Sequence, residues 1–436
     1  MRRIGALVLA LAATTGAVVA AVASGIAPAT VATPAERVGA ELGDLAVVYQ
    51  VGPVDATTIA RSEQVAAAVG GVSTIGRTGT LHARGVVRDG SVVHAPPDGY
   101  TFPLTFAAYP TDSLGWLLGF EISGAVSPTT HPEGVVLNAG SAALHGAQAG
   151  DVIELETRSG ALARVVVTAV APEKVLGGTE VVLTTDLATR LGETRDMRTI
   201  IWGFDDRAAF DAAVAATGLD APRDTKVSRS WDLRNPDSVL DTLDLKRQLG
   251  IPWYRVLGGG TGVTMHSQWV ATNLTPGREL LSAQIPIRAR CNVRILDDLK
   301  AALADVAAAG LGWAIEVANA NTYGGCYTPR FARDSWNLSR HSYGVALDTN
   351  TVSNCQGCVP KMNCDVVRIF RRHNFAWGGN FNRPDGMHFE WVGEPRDQIA
   401  FPSRYCPNTA TAELRPQGEA VTLGRDVLDA GLEPQP

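Results

Sequence analysis

The segments SRHSYGVALD (residues 339–348) and DGMHFEW (residues 385–391) decide the fold of the C-terminal half. Successive side chains of a β-strand point to opposite faces. In the second segment, this alternation places His388 and Glu390 on one face. The opposite face carries the apolar side chains of Met387, Phe389 and Trp391. The pattern predicts a strand with one side against a hydrophobic core and a polar side that faces a site.

The first segment supplies the other polar groups of this site. His341 and Asp348 are seven residues apart, with Gly344 between them. This spacing predicts a loop or turn that runs into a strand, in which Ala346 and Asp348 share a face. Two imidazoles and one carboxylate are typical of a catalytic zinc site, which keeps a fourth position for water. Together with His388, the segment therefore has the composition of a metal site.

The two motifs together resemble a known enzyme family. The order Ser339-x-His341-x-x-Gly344-x-Ala346-x-Asp348, followed by Asp385-x-x-His388-Phe389-Glu390, is similar to that of the zinc D-Ala-D-Ala peptidases. These include VanX- and VanY-type peptidases and L-alanyl-D-glutamate endopeptidases, in a wider group with lysostaphin and Sonic hedgehog. The resemblance covers about residues 290–395. It implies an α+β domain of the hedgehog and DD-peptidase type, with helices packed on a small antiparallel sheet.

The resemblance also implies the roles of individual residues. His341, Asp348 and His388 occupy the positions of the ligands of Zn²⁺. Asp385 takes the place of the acid/base that precedes the last ligand by three residues. Glu390 shares the face of His388. The alternation alone does not decide whether Glu390 is a partner of that histidine or an alternative base to Asp385. The family pattern favours Asp385.

An arginine upstream completes the implied site. Arg330 stands where the family has an arginine that binds substrate or stabilises the charge of the transition state, and Arg333 is the fallback for this role. Ser339 is a candidate to hold a substrate carboxylate. The implied reaction is hydrolysis of peptidoglycan stem peptides, at either the D-Ala-D-Ala or the L-Ala-D-Glu bond, through a zinc-activated water.

The N-terminus predicts export. Arg2 and Arg3 precede an apolar stretch that ends in Ala21-Val22-Ala23, the pattern of a secretory signal peptide over residues 1–23. An uncleaved membrane anchor is the alternative, because the apolar stretch is long for a signal peptide. Both interpretations place the rest of the chain outside the cytoplasm, and the anchor would tether it to the membrane. The Ala/Thr/Pro-rich residues 24–40 are typical of a linker.

The cysteines agree with export. All six lie after residue 290, and an even number in one region of an exported chain predicts up to three disulfides. The sequence leaves their pairing open. A contribution of Cys355, Cys358 and Cys364 to a zinc site is the less favoured alternative.

Patterns along the chain predict two folded domains and a polar tail at 411–436. Residues 41–235 predict a mostly β domain, with helices near 57–68 and 207–217 and a strand-turn-strand unit over 151–170. We interpret its histidines as surface or loop residues; they are His82, His94, His131 and His145. Residues 236–410 form the predicted zinc peptidase domain, with helices over 296–306 and 365–373.

The chain as a whole therefore predicts a secreted or surface-attached zinc peptidase whose partner is a peptidoglycan stem peptide. The net charge of −6 argues against a nucleic-acid partner. The alternatives are a zinc-containing module that only binds the cell wall or a partner, and a sensor or assembly function in residues 41–235. A base at Asp385 favours the enzyme, because a pure binding module does not need one. The sequence leaves the oligomeric state and the role of the first domain open.

Overall fold

The computed structural model describes residues 44–222, 224–257, 262–317, 322–333 and 335–408. The predicted signal peptide or anchor, the linker 24–40 and the tail 411–436 lie outside these residues. Within the described ranges, none of the helices combines the length and the apolar character that a membrane span needs.

The N-terminal half is built mainly from strands, as predicted. Its described strands are β1 (Asp44–Gln50), β2 (Val72–Arg88), β3 (Ser91–His94), β4 (Phe102–Tyr109), β5 (Gly134–Asn138), β6 (Val152–Glu156), β7 (Leu162–Ala171), β8 (Val181–Thr184), β9 (Arg198–Phe204) and β10 (Thr225–Arg229). Its described helices are α1 (Ala56–Ala68), α2 (Thr111–Leu118), α3 (Phe120–Ala125), α4 (Ala139–His145), α5 (Glu173–Leu176), α6 (Thr185–Arg190) and α7 (Arg207–Thr217). The helices near 57–68 and 207–217 and the strand-turn-strand unit at β6 and β7 are thereby confirmed.

Six of these strands close into a barrel in the order β2-β4-β8-β5-β7-β6, and β6 pairs back with β2. The pairs β4–β8 and β5–β7 are parallel, and the other pairs of the barrel are antiparallel. The long strand β2 extends beyond the barrel and joins β9, β1 and β10. Helices α1 and α7 pack against this extension. Leu81 and Ala83 of β2 belong to the barrel core, so Thr80 and His82 lie on its outer face.

The C-terminal half mixes short strands and helices. Its described strands are β11 (Tyr254–Val256), β12 (Val263–Met265), β13 (Glu279–Leu280), β14 (Arg288–Ala289), β15 (Tyr323–Gly325), β16 (Ala346–Thr349), β17 (Phe375–Trp377) and β18 (His388–Trp391). Its described helices are α8 (Thr242–Leu249), α9 (Ser267–Asn273), α10 (Leu296–Ala308), α11 (Arg340–Tyr343) and α12 (Cys364–Arg372). The strands β15-β16-β18-β17 form the small antiparallel sheet. The α+β content is confirmed, and the closer relation to hedgehog-type domains stays a prediction.

Helix α10 supports the strand that carries the last polar pair. Its apolar stripe is buried at Leu299, Leu303 and Val306, as the spacing predicts. In its first turn, Asp298 Oδ2 accepts a 2.6 Å hydrogen bond from Trp391 Nε1 at the end of β18. The indole therefore fixes β18 between the core and the helix.

Three disulfides brace the C-terminal half, as predicted: Cys291–Cys326, Cys355–Cys358 and Cys364–Cys406. All six cysteines are paired, so the alternative of cysteine zinc ligands is wrong. The first disulfide ties the entry to α10 to the end of β15, beside the site described below.

The two halves share a buried boundary. Lys246 of α8 forms an ion pair with Glu180, which precedes β8, and both side chains are 0% exposed. Tyr254 and Thr101 exchange backbone hydrogen bonds of 2.9 and 2.7 Å. His82 is only 5% exposed on this boundary.

The position of the barrel histidines corrects one expectation. His82 and His145 are buried, so their interpretation as surface or loop residues is wrong. Both are covered by side chains that are distant in sequence: Tyr254 contacts His82, and Lys246 lies 3.4 Å from His145.

Candidate metal centre

The pairing of β16 with β18 builds one face of the site. Asp348 lies opposite His388, and Ala346 lies opposite Glu390. Cross-strand neighbours point to the same face of a sheet, so all three polar side chains converge. The other face packs into the core through Val345, Leu347, Phe389 and Trp391. The alternation read from the sequence is thus the arrangement that the sheet adopts.

A sharp turn brings His341 to the same face. The short helix α11 begins after Ser339, whose Oγ accepts a 3.3 Å hydrogen bond from the His341 backbone N–H. It ends at Gly344, which has a φ of 69°. A Cβ at Gly344 would lie 2.7 Å from Leu274 Cδ2 and 3.0 Å from Asn292 N. Only glycine satisfies both the left-handed backbone and the close approach, and the chain then enters β16.

The three candidate ligands meet around Asp348. His341 Nε2 is 3.1 Å from Asp348 Oδ2, and His388 Nδ1 is 3.1 Å from Asp348 Oδ1. One ligand atom from each residue lies within 4.8 Å of the others, so the group could hold a metal ion. The structure therefore brings together His341, Asp348 and His388.

The tautomer of His341 leaves a nitrogen for a metal. Its Nδ1 is 3.0 Å from the Cys326 carbonyl, which can only accept a hydrogen bond. Nδ1 therefore carries the proton of the neutral ring, and Nε2 keeps its lone pair. This Nε2 is buried and, although it lies 3.1 Å from Asp348 Oδ2, it has no hydrogen-bond partner among the described residues.

Glu390 orients His388. His388 Nε2 donates to Glu390 Oε2 at 3.2 Å, and Arg340 Nε donates to Glu390 Oε1 at 2.8 Å. Glu390 and Arg340 are both buried. A carboxylate on the outer nitrogen of a metal-binding imidazole fixes the direction of its ring. Of the two roles that the sequence leaves open for Glu390, this contact supports the partner of His388.

The charges within the site favour the ionised form of Asp348 and the protonated form of His388. Burial alone would raise the pKa of Asp348, but the adjacent His341 and His388 outweigh it and hold that pKa below its ordinary value. Burial alone would lower the pKa of His388, but hydrogen bonds to Asp348 and Glu390 raise it to about 10. A metal cation bound here would be attracted by the same two carboxylates, Asp348 and Glu390.

Asp385 lies beside the three candidate ligands. It is 5% exposed, and burial raises its pKa to about 6, although attraction to His388 and Arg330 opposes the shift. Its Oδ1 is buried and has no hydrogen-bond partner within the described part of the chain. A buried carboxylate with a pKa near neutrality is suited to exchange protons.

The two candidate arginines, Arg330 and Arg333, make different contacts. The backbone of Arg330 is fixed by Ser342 Oγ, which accepts from its N–H at 2.9 Å and donates to its carbonyl at 2.7 Å. The charge of Arg330 acts on Asp385. Arg333 is exposed, and its Nη1 lies 3.4 Å from Gln356 Oε1.

Sequence reasoning missed Gln356. Its Nε2 donates to Asp385 Oδ2 at 3.4 Å, so this side chain lies between Arg333 and Asp385. It sits inside the ring closed by the Cys355–Cys358 disulfide, and the Gly357 N–H donates to the Pro384 carbonyl at 2.6 Å. The sequence signal for Gln356 is a polar residue between two closely spaced cysteines. Its contact with Asp385 depends on the fold and is not visible in the sequence.

A family model described as D-alanyl-D-alanine carboxypeptidase matches residues 333–391. This range contains His341, Asp348, Asp385 and His388, and Arg330 lies just before it. The match supports the zinc D-Ala-D-Ala peptidase family suggested by the motifs, without singling out one member. Among curated proteins, none matches the chain.

Proposed function

We propose that this protein is a secreted or surface-tethered zinc peptidase that hydrolyses peptidoglycan stem peptides. The observation that carries the proposal is the buried cluster of His341, Asp348 and His388 beside Asp385. The description of the matching family favours the D-Ala-D-Ala bond. The L-Ala-D-Glu bond is the second candidate, because an aspartate as the acid/base at position 385 resembles the pattern of the endopeptidases.

The donor set fits zinc. His341 Nε2, His388 Nδ1 and the Asp348 carboxylate would hold the ion, and two imidazoles with one carboxylate are usual in catalytic zinc sites. The unpartnered Nε2 of His341 supports this fit. When bound, zinc lowers the pKa of a coordinated water to about 7, so that a nucleophile is available near neutrality.

Asp385 would move the protons of the reaction. Its pKa of about 6 leaves it mainly ionised at neutral pH, and the unpartnered Oδ1 is the atom that would accept a proton from the attacking water. The same oxygen would then donate that proton to the leaving amine. The positive charge of Arg330 acts on this carboxylate, and it would stabilise the negative charge that develops on the carbonyl oxygen of the peptide.

Export is supported by two independent features of the chain. The N-terminal pattern is that of a signal peptide or an anchor. The three disulfides of the C-terminal half are typical of proteins that work in oxidising compartments. An extracytoplasmic location would place the site where peptidoglycan lies.

The test uses zinc-loaded residues 24–436 with muropeptides that end in D-Ala-D-Ala, analysed by mass spectrometry. Loss of one D-Ala identifies a carboxypeptidase, and release between L-Ala and D-Glu identifies an endopeptidase. The isosteric variant Asp385→Asn should retain one zinc per chain and lose the activity. A wild-type protein that binds one zinc per chain but cleaves neither bond would contradict the proposal and favour a zinc-containing binding module.

A further inference from the structure

A short hairpin precedes the first candidate ligand. We define it as residues 331–333 and 335–338. Phe331 pairs with Leu338, and the Ala332 N–H donates to the Asn337 carbonyl at 2.8 Å. Arg330 and Ser339 flank its base, where the Ser339 N–H donates to the Arg330 carbonyl at 3.1 Å. The hairpin is therefore joined directly to Arg330 on one side and to the start of α11 on the other.

The barrel of the N-terminal half holds this hairpin. Thr80 Oγ1 on the outer face of β2 donates to Asn337 Oδ1 at 2.7 Å. The guanidinium of Arg158 lies 5.2 Å from the centre of the Trp336 ring, a distance at which a cation is attracted to an indole. Arg158 is itself fixed by two 2.8 Å hydrogen bonds to Glu193, which lies between α6 and β9.

His82 forms the floor beneath the hairpin. Its ring meets the rings of Trp336 and Phe331 edge to face, at centroid distances of 5.3 and 5.6 Å. Tyr254 bonds to His82 Nδ1 at 2.8 Å and is itself fully buried. The contact surface is therefore packed and rigid, as a support for a positioned loop needs to be.

The hairpin also reaches the reacting side of the site. Arg333 contacts Gln356, and Gln356 contacts Asp385, each at 3.4 Å. Arg330, at the base, places its charge near Asp385. One hairpin thus joins the barrel, through Trp336 and Asn337, to Arg333, which reaches Asp385 through Gln356, and to Arg330, whose charge acts on Asp385.

We infer that the barrel is a working part of the peptidase: through Thr80 and Arg158 it fixes the hairpin, and the hairpin presents Arg330 and Arg333 to an anionic peptide substrate. This inference rests on the proposed function, since the substrate is the carboxylate-bearing stem peptide. Thr80 and Arg158 are positioning residues, because they act through Asn337 and Trp336. The role assigned to residues 41–235 is therefore to hold a substrate-binding hairpin in place.

The test compares full-length, zinc-loaded wild type with the double variant Thr80→Val/Arg158→Ala on a peptide that ends in D-Ala-D-Ala. We expect KM to rise about tenfold, the change that about 1.4 kcal/mol of lost positioning would produce, with kcat within about twofold. Thr80→Ser keeps the hydroxyl and should restore the Thr80 contribution. Arg164→Ala removes an exposed ion pair of the same barrel and should leave KM unchanged.

Peptide affinity gives a second measurement that does not depend on turnover. Calorimetry in the Asp385→Asn background should show about tenfold weaker binding of the same peptide when Thr80 and Arg158 are replaced. Asn337→Ala removes the Thr80 contact from the hairpin side and should weaken binding in the same direction, which covers the case in which the double variant does not fold.

The two proposals fail differently. Unchanged KM and unchanged affinity in folded variants, or a fall in kcat alone, would overturn the role of the barrel and leave the peptidase intact. A wild-type protein that binds zinc but cleaves nothing would contradict the proposed function. The affinity measurement would still test whether the barrel positions the hairpin for peptide binding.

Discussion

Each half of the molecule buries two histidines, and their surroundings are opposite. In the C-terminal half, His341 and His388 lie against carboxylates, with Asp348 between them. In the barrel, His82 and His145 lie among aromatic rings and beside cations. Each pair has one histidine in a strand and one in a short helix, so secondary structure does not distinguish them.

The difference appears in their proton affinities. Hydrogen bonds to Asp348 and Glu390 overcome burial and raise the pKa of His388 to about 10. Burial, assisted by Arg158, lowers the pKa of His82 to about 3. Burial alone therefore does not identify a functional histidine; the sign of the neighbouring charge separates a ligand site from a structural contact.

Replacement of one histidine from each half tests this contrast most strongly. His341→Ala should lose bound zinc, and activity should fall about a thousandfold or more, because the ion supplies several kcal/mol of transition-state stabilisation. His82→Ala should keep one zinc per chain and lose stability instead. Metal analysis of the purified variants checks both. Stoichiometric zinc in His341→Ala, or zinc loss in His82→Ala, would break the contrast.

The buried cation beside His145 allows a test on the barrel side. Lys246→Met leaves Glu180 buried and without its counter-charge, so we expect a loss of about 3–5 kcal/mol in the free energy of unfolding. The double variant Lys246→Met/Glu180→Gln should recover most of this loss, because the Gln amide oxygen can accept from the Thr105 N–H and its NH2 group can donate to the Ser141 hydroxyl. Denaturant unfolding measures both. Equal instability of the single and double variants would show that the charge pair is not the cause.

The sequence predicts the C-terminal site better than its surroundings because the site depends on local patterns. Alternation in β18 and the turn at Gly344 place His388, Asp348 and His341 from a few neighbouring residues each. The motif order supplies Asp385. These features are set by strand periodicity and by one left-handed residue, which are properties of short segments.

The remaining features depend on contacts between distant segments. Closure of the barrel requires β2 to pair with β6, and His82 is buried by Tyr254, 172 residues away. Gln356 and Asp385 are 29 residues apart in sequence and come into contact through the fold. The strand pattern predicts that His82 lies on an outer face, but it does not predict what covers that face.

Glu390 offers a sharper test of the carboxylate environment. Glu390→Gln keeps the shape of the side chain but removes the negative charge that accepts from His388 and pairs with Arg340. We expect zinc affinity to fall about 10- to 100-fold, the usual cost of losing such a partner. Competition with a chelator measures the affinity, and Glu154→Gln in an exposed barrel ion pair is the matched control. An unchanged affinity would exclude Glu390 as the group that orients His388.

The smallest effect is a pH dependence confined to the barrel side. The pKa of His82 is about 3 in the folded protein and about 6.5 in the unfolded chain, so between these pH values only the unfolded chain binds the proton. Its neutral form therefore contributes full stability above pH 6.5, and stability falls by up to about 1.4 kcal/mol per pH unit on acidification. Burial lowers the pKa of His145 as well, which adds to the same trend.

His82→Gln, which can still bond to Tyr254 and does not titrate, should give a shallower slope of unfolding free energy against pH between pH 6.5 and 5 in denaturant unfolding. His131→Gln, at a half-exposed histidine, should keep the wild-type slope. Identical slopes in wild type and His82→Gln would mean that His82 is not held neutral by burial, and the contrast with His388 would then rest on the metal site alone.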